Sequence, residues 1–395
     1  MFLVCILRLY IRNASAKVSE KCGADREEVT PAVRRRKEDG SMLNPREFCF
    51  GCMNRLPELD GKCPHCGRDN HVRKNADDQL PFALLAQKYV IGRSLGRGGF
   101  GITYIGLNDR LEMRVAIKEY FPEGLSRRAK DGIHVEPVSV EAGVQMQAGM
   151  QKALEEARII ARIQNVPHVV RIYDCFSRNN TVYIVMEYVE GETLSERVCR
   201  GGPLSWKEAW ALMKPIGQAL DILHGRDLIH RDISPDNIMI SREDGKSVLL
   251  DFGAAGGRIA SGEEREKLLK DGYAAPEQYQ DHSEIDGRSD EYAWAATLLF
   301  AITGHRPDNA LQRKFNEGNL LTKKLERKVP RESLIALEKA MAVDPAARFA
   351  IMREAVSAMD HVPEKRSLWR TVGWIAAGAA AAVASGSVLI GLLGG

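Results

Sequence analysis

The run His230-Arg231-Asp232-Ile233-Ser234-Pro235-Asp236-Asn237 carries more information than any other part of the chain, and Asp251-Phe252-Gly253 follows it fourteen residues later. Asp232 is a candidate general base. Asn237 and Asp251 are candidate oxygen ligands for magnesium. A hard cation bound to a nucleotide takes a couple of such protein ligands and fills the rest of its shell with water and phosphate. A base beside two such ligands is the set of groups that phosphoryl transfer requires.

Upstream, Gly96-Arg97-Gly98-Gly99-Phe100-Gly101 is a Gly-x-Gly-x-x-Gly loop. Alone it says little, because dinucleotide-binding folds use it too. Its surroundings separate the two uses. Apolar residues before it (Tyr89, Val90, Ile91, Leu95) and after it (Ile102, Tyr104) alternate as in strands. A strand–turn–strand lays the loop backbone over phosphates, whereas a dinucleotide loop opens a helix. Seventeen residues on, Val115-Ala116-Ile117-Lys118 places one lysine inside an apolar strand pattern.

These motifs together resemble the protein kinase superfamily, and in particular bacterial Ser/Thr-type (eukaryotic-like) kinases that carry His-Arg-Asp-Ile-Ser-Pro-Asp-Asn. The resemblance covers residues 89–362, with the major motifs in order. It implies an α+β, two-lobed kinase fold with a β-rich N-lobe and a helical C-lobe. It also implies transfer of the ATP γ-phosphoryl group to serine or threonine hydroxyls of a protein substrate, with magnesium. A nucleotide-binding pseudokinase scaffold is the alternative; a kinase of small molecules is a third reading, which the Ala275-Pro276-Glu277 segment disfavours. By resemblance, Lys118 holds the α- and β-phosphates, and Leu95, Gly96, Gly98, Gly99, Gly101, Thr103 and Ala116 line the nucleotide. Met186 stands at the back of the adenine pocket, and the backbone from Glu187 to Val189 bonds the adenine edge. Thr103 departs from the family's usual valine.

Lys118 needs a carboxylate to orient it, and the helical pattern around Met150–Ile163 offers Glu155 and Glu156. Glu156 shares a face with Ala153, Ile160 and Ile163, the inward stripe. Glu155 lies with Arg158 and Arg162. Glu156 is therefore the expected partner. The distance along the chain from Lys118 is longer than the family's, so residues 121–145 read as an insertion.

The resemblance makes Arg231 a point of activation-loop control, with Ser261 one of few hydroxyls there to be phosphorylated. It pairs Glu277 with Arg348 and has Asp290 brace the catalytic loop. Ser234 is the departure that matters. The family normally has lysine there, contacting the γ-phosphate and a Thr or Ser shortly before Ala-Pro-Glu. Counting back from Tyr273, that second position is Lys270. Both members differ, and the expectation is an exchanged pair, with Lys270 reaching back to Ser234 and the γ-phosphate. A cation must face the transferring group in either arrangement.

Cys49-x-x-Cys52 and Cys63-x-x-Cys66 stand ten residues apart. Each turn points two sulfurs at one ion, which suits tetrahedral zinc. The cluster resembles a zinc ribbon over residues 42–70, with structural zinc, because so short a segment has little core of its own. A redox role for one pair is the alternative. Residues 71–88 read as a linker and residues 1–41 as a solvated tail; Met42 could be the true start. Eight cysteines, half of them in this cluster, point to a reducing compartment and a metal rather than a disulfide framework. A net charge of +3 is too balanced to suggest nucleic acid as a general partner, and none is expected.

Residues 372–395 are 24 positions without a charge. Helical, they would span a bilayer core. Basic residues (Lys365, Arg366, Arg370 in segment 363–371) and Trp369 and Trp374 flank them. The expectation is a single transmembrane helix, a tail anchor in the bacterial inner membrane with the kinase domain cytoplasmic. Gly378, Ala382 and Gly386 would allow helix pairing and a homodimer.

Overall fold

The structure, a computed structural model, describes residues 35–36, 42–43, 47–56, 62–68, 77–79, 82–162, 166–250, 269–280, 285–315 and 325–360. Two short strands, β1 (Arg35–Arg36) and β2 (Met42–Leu43), pair near the start. The strand-rich lobe is a six-stranded antiparallel sheet. Its strands are β3 (Leu84–Leu85), β4 (Tyr89–Gly98), β5 (Gly101–Asn108) and β6 (Met113–Tyr120). A small hairpin of β7 (Ser126–Arg128) and β8 (Val135–Pro137) follows, then helix α1 (Val140–Arg162). Strands β9 (Ile172–Arg178) and β10 (Thr181–Glu187) return to complete the sheet, in the order β3-β4-β5-β6-β10-β9.

Alternation builds this lobe, since successive side chains of a strand point to opposite faces. On β5, Ile102 and Tyr104 enter one core with Val115, Ile117, Tyr183 and Met146 of α1. Ile105 and Leu107 enter the opposite one, with Val90, Phe48 and Met53. Gly106 has no room for a Cβ, which would meet the Val90 carbonyl oxygen at 3.0 Å and Ile117 Cδ1 at 2.5 Å.

The helical lobe begins with β11 (Gly191–Thr193), α2 (Leu194–Gly201) and α3 (Trp206–His224). Both helices start at capping boxes, Thr193 with Glu196 and Ser205 with Glu208. Such reciprocal bonds satisfy two otherwise unpaired N–H donors and stabilise a helix start by about 1 kcal/mol. Strands β12 (Ile238–Ser241) and β13 (Ser247–Leu249) carry the chain past the catalytic loop. Then come α4 (Gly287–Thr303), α5 (Ala310–Phe315), α6 (Arg331–Ala340) and α7 (Met352–Met359). Helix α4 is buried on every side from Ser289 to Ile302, so it is the axis on which α3, α6 and α7 pack. It ends at Gly304, whose φ of 72° is the left-handed cap glycine adopts freely.

Two expectations are corrected. The helix expected around Met150–Ile163 runs as α1 from Val140 to Arg162, so it takes in the last residues of the segment read as an insertion. Its first half carries a thin apolar stripe of Ala142 and Met146, diluted by Gly143 and by exposed Val140 and Val144, so helical periodicity is faint there. The second correction concerns the membrane. No helix among the described residues is long and apolar enough to cross a bilayer. Residues 372–395, on which the span was expected, lie outside the described residues. The run is rich in Ala and Gly, which supply little insertion energy, and Gly also disfavours helix. The transmembrane helix, the tail anchor, the membrane partner, the inner-membrane location and the helix-mediated homodimer are not carried forward.

Candidate active site

The catalytic loop is held from below by one buried carboxylate. Asp290, on α4, accepts from the backbone N–H groups of His230 (2.7 Å) and Arg231 (2.7 Å) and from His224 Nε2 (2.8 Å). Burial pushes its carboxyl up, yet His224, His230 and these donors outweigh burial and hold it below the usual range. Arg231 is consequently fixed at a φ of 65°, a conformation a non-glycine residue adopts only when its surroundings impose it. The His230 ring bridges to the Leu250 carbonyl at 3.0 Å, and the Asp232 N–H reaches His230 Nδ1 at 3.3 Å.

A single turn of 3₁₀ helix, Pro235–Asn237, follows. It brings Asn237 back to Asp232: Nδ2 donates to the Asp232 carbonyl (2.7 Å) and to its Oδ2 (3.0 Å). The amide nitrogen is thereby committed to Asp232. Leu250 N–H donates to the Asn237 carbonyl at 2.8 Å, so the turn and the chain leading to Asp251 run side by side. Asp251 and Ser261 lie outside the described residues.

Ser234 is fully buried. Lys270 Nζ donates to its Oγ at 2.8 Å and stands 3.5 Å from Asp232 Oδ1. Further along, Glu277 accepts from both terminal nitrogens of Arg348 (2.7 and 2.9 Å) and from Ser289 Oγ (2.6 Å). Gln278 was not anticipated from the sequence. Its Nε2 donates to the Arg231 carbonyl (2.9 Å), and its Oε1 accepts from Ala275 N–H (2.9 Å), which ties the Ala-Pro-Glu segment to the catalytic loop. A polar residue directly after Ala275-Pro276-Glu277 was the available signal.

Above this, β4 and β5 pair down to Gly98 and Gly101, so the glycine loop is a strand–turn–strand. Its glycines serve different ends. A Cβ on Gly101 would lie 2.3 Å from the Glu119 carbonyl oxygen, so close strand approach demands glycine there. Gly96 and Gly98 face open space. Lys118 on β6 lies opposite Thr103 on one side and Ile184 on the other. Glu156 sits half-buried on α1, while Glu155 is exposed and accepts from Gln151.

Leu95, Ala116, Met186, Val170, Val248 and Leu250 form one apolar cluster. Val248 and Leu250 were missed from sequence; Val248 lies on β13 and Leu250 directly after it, just before Asp251. Glu187 ends β10, and with Tyr188 and Val189 it lines a cavity shared with Arg114, His168 and Val248.

The cysteines meet. The four sulfurs lie within 4.8 Å of one another, with Cys49–Cys66 and Cys52–Cys63 both at 3.7 Å. A tetrahedron with metal–sulfur bonds of about 2.3 Å has edges of about 3.8 Å, so the donor set fits zinc. Gly51 N–H and Asn54 Nδ2 donate to sulfur (3.2 and 3.4 Å), the knuckle pattern that orients thiolates. Burial pushes the Cys49 thiol up. At Cys63 burial opposes ionisation, but the N–H groups of Cys66 and His65 outweigh it and bring the thiol down to about 7. The module is seated on the sheet. Phe48 and Met53 pack on Val90, Ile105 and Leu107, and Arg93 bonds the Phe50 carbonyl with its N–H (3.0 Å) and the Gly51 carbonyl with Nε (2.8 Å).

The protein kinase domain family matches residues 89–361. The chain therefore belongs to the protein kinase family, and its domain is of the bacterial Ser/Thr type. It is 34% identical over 254 residues to the serine/threonine-protein kinase PknH of Mycobacterium tuberculosis, covering 62% of this chain and 36% of that protein. It is 30% identical over 269 residues to PknL of the same species, covering 67% of this chain and 60% of the relative. The chain thus spans about a third of the length of PknH and three fifths of PknL. Among solved structures, the apo form of PpkA-294 matches with a TM-score of 0.64 and 30% identity, covering 72% of this chain and all of that one. Rad53 in complex with AMP-PNP shares the fold, at a TM-score of 0.52 and 19% identity.

Proposed function

We propose that the chain is a protein serine/threonine kinase that uses ATP and magnesium. The observation that carries this is the constellation around Asp232, with Asn237 bonded to it and Lys118 on the strand above the apolar cluster. Relatives named as serine/threonine-protein kinases support the same reading. The purine lies in the slot between Leu95, Ala116, Met186, Val248 and Leu250, with its edge on the backbone of Glu187 to Val189. Lys118, oriented by Glu156, holds the α- and β-phosphates beneath the loop of Gly96, Gly98, Gly99 and Gly101. Asn237 and Asp251 would hold magnesium, which when bound would supply positive charge against the phosphates. Asp232 orients the acceptor hydroxyl and takes its proton as the oxygen bonds the γ-phosphorus. The bond from that phosphorus to the β,γ-bridging oxygen breaks, and ADP leaves.

The test is transfer of label from γ-labelled ATP to protein with magnesium, comparing the full chain with Asp232→Asn. Loss of a positioned base is expected to reduce turnover by about 10²–10⁴-fold. Nucleotide binding without transfer by the unaltered chain would overturn the enzymatic reading in favour of a scaffold. The four cysteines hold structural zinc in this reading. Stoichiometric zinc released by a thiol reagent and absent from Cys49→Ser checks it.

A further inference from the structure

Ser234 cannot itself supply the charge at its position. It is neutral and fully buried, and its hydroxyl is already an acceptor for Lys270. The Lys270 side chain, by contrast, is about a third exposed (32%), and its Nζ stands 3.5 Å from Asp232 Oδ1, whose side chain is exposed to a similar degree (29%). An ammonium group beside the proposed base, on a partly exposed side chain, is placed to meet a phosphoryl group transferred there. Ser234 then acts as the peg that aims it.

The lysine's base is fixed as firmly as its tip. The Lys270 carbonyl accepts from Tyr273 N–H (3.0 Å) and Ala274 N–H (2.9 Å), closing a tight turn. Gly272 makes that turn possible at a φ of 82°, and a Cβ there would strike the Pro307 carbonyl oxygen at 2.5 Å. Asp271 anchors the turn to the helical lobe through Arg306 (3.0 Å) and Asn309 (2.5 Å), and Tyr273 packs edge-on against Phe300. The turn runs straight into the Ala275-Pro276-Glu277 segment.

We infer that Lys270 is the cation that contacts the γ-phosphoryl group during transfer, and that residues 269–280 deliver it to the catalytic loop. This rests on the proposed kinase reaction and refines it. The charge that stabilises the transition state is carried on a separate stretch of chain, so it is in place only when that stretch is docked. Preorganised charge of this kind acts mainly on turnover, because the electrostatic demand is largest where charge develops.

The experiment measures kcat and KM for ATP, together with thermal midpoint, for the full chain and five variants. Lys270→Gln is expected to lower kcat about 10²-fold or more, with KM for ATP within about threefold and the midpoint unchanged. Lys270→Arg keeps a cation and should exceed Lys270→Gln by at least tenfold. Ser234→Lys with Lys270→Thr moves the cation to the other strand of chain and should recover most of the loss. Gly272→Ala should lower kcat without touching substrate, because it displaces the turn that carries the lysine. Ser234→Ala, which loses only the peg, should cost less than Lys270→Gln. If Lys270→Gln keeps kcat within threefold of the unaltered chain, the inference fails while the kinase reading stands. If Lys270→Arg is no better than Lys270→Gln at equal midpoint, the lysine is a structural tether and the inference fails. Should the unaltered chain transfer no phosphoryl group, the kinase reading itself fails.

Discussion

Among the described residues, the two lobes each contain one buried arginine–carboxylate pair, built alike and serving different ends. In the helical lobe Arg348 bonds Glu277 and lies over the Tyr292 ring, 5.0 Å from its centroid. In the strand lobe Arg128 bonds Glu119 and lies over the Phe121 ring, 4.9 Å from its centroid. Both guanidinium groups are nearly inaccessible, at 0% and 2% of side-chain surface. The carboxylates differ in what else they hold. Glu277 has Ser289 as its other side-chain donor, while Arg348 also donates to the carbonyls of Ala342, Arg288 and Val343, so the pair pins the Ala275-Pro276-Glu277 segment to α4 and to the chain ahead of α7. Glu119 also accepts from Gln79 Nε2 (2.8 Å), Tyr183 Oη (2.8 Å) and Tyr104 Oη (3.1 Å). Arg128 in turn donates to the carbonyls of Asp77 and Ile133. The network sews the linker and the β7–β8 hairpin to the sheet face away from the proposed nucleotide slot. A buried charge is costly to strand, and the cost falls with the number of donors left to it.

That difference sets an order of effects. Arg348→Ala should destabilise most, by about 3–5 kcal/mol, because Glu277 keeps a single hydroxyl donor; chemical denaturation reads this directly. A smaller loss for Arg348→Ala than for Arg128→Ala would break the comparison.

The next effect belongs to Glu291, one residue beyond Asp290 on α4. Its Oε1 accepts from Phe349 N–H at 3.1 Å. Burial pushes its carboxyl up to about 8 despite that bond and despite Arg348, Lys339 and Arg288 nearby. A raised carboxyl favours the neutral form in the fold. Its contribution is therefore full below the unfolded value near 4.5 and is lost as pH rises to about 8. Stability should decline over that window by on the order of 2–4 kcal/mol, and Glu291→Gln should flatten the decline. An unaltered slope in Glu291→Gln would remove Glu291 from the account.

Arg128→Ala comes third, at about 2–3 kcal/mol, since Gln79, Tyr104 and Tyr183 still bond Glu119. Gln79→Ala comes last, at about 1 kcal/mol. It removes a donor to Glu119 but also removes Gln79 Oε1, a buried acceptor with no hydrogen-bond partner among the described residues. Urea midpoints of the two variants, compared with the double Arg128→Ala/Gln79→Ala, sharpen the strand-lobe half: if the donors share one carboxylate, the losses will not add.

The same pair of networks shows what a sequence discloses. Glu277 and Arg348 could be paired before any coordinates because each stands in a short motif with a known neighbour. Arg128 and Glu119 could not. Their link depends on a hairpin of three-residue strands, too short for alternation to register, and on Gln79 from a stretch that reads as linker. Asp232, Asn237 and Lys118 were legible for the motif reason. Val248 and Leu250 were not, because an apolar residue in a β-run has core packing as its ordinary explanation. The start of α1 was obscured by glycines, and an uncharged Ala/Gly-rich run with basic and Trp flanks was a weak basis for a transmembrane span.

One feature of the strand lobe bears on mechanics rather than chemistry. Strand β4 reaches the glycine loop at one end and carries the cysteine module at Gly92 and Arg93, where a Cβ on Gly92 would meet Met53 Cε at 2.4 Å. Leu95 and Tyr188 pack against both the module and the apolar slot. The loop is thus a beam propped at both ends: the cysteine module clamps its root, and at its tip the Gly99 and Phe100 carbonyls accept from the N–H groups of Glu123 (2.9 Å) and Phe121 (3.0 Å). A beam propped twice bends most in the span between its props. Where the four-cysteine module grips the strand therefore helps to set how far Gly96 to Gly98 can flex.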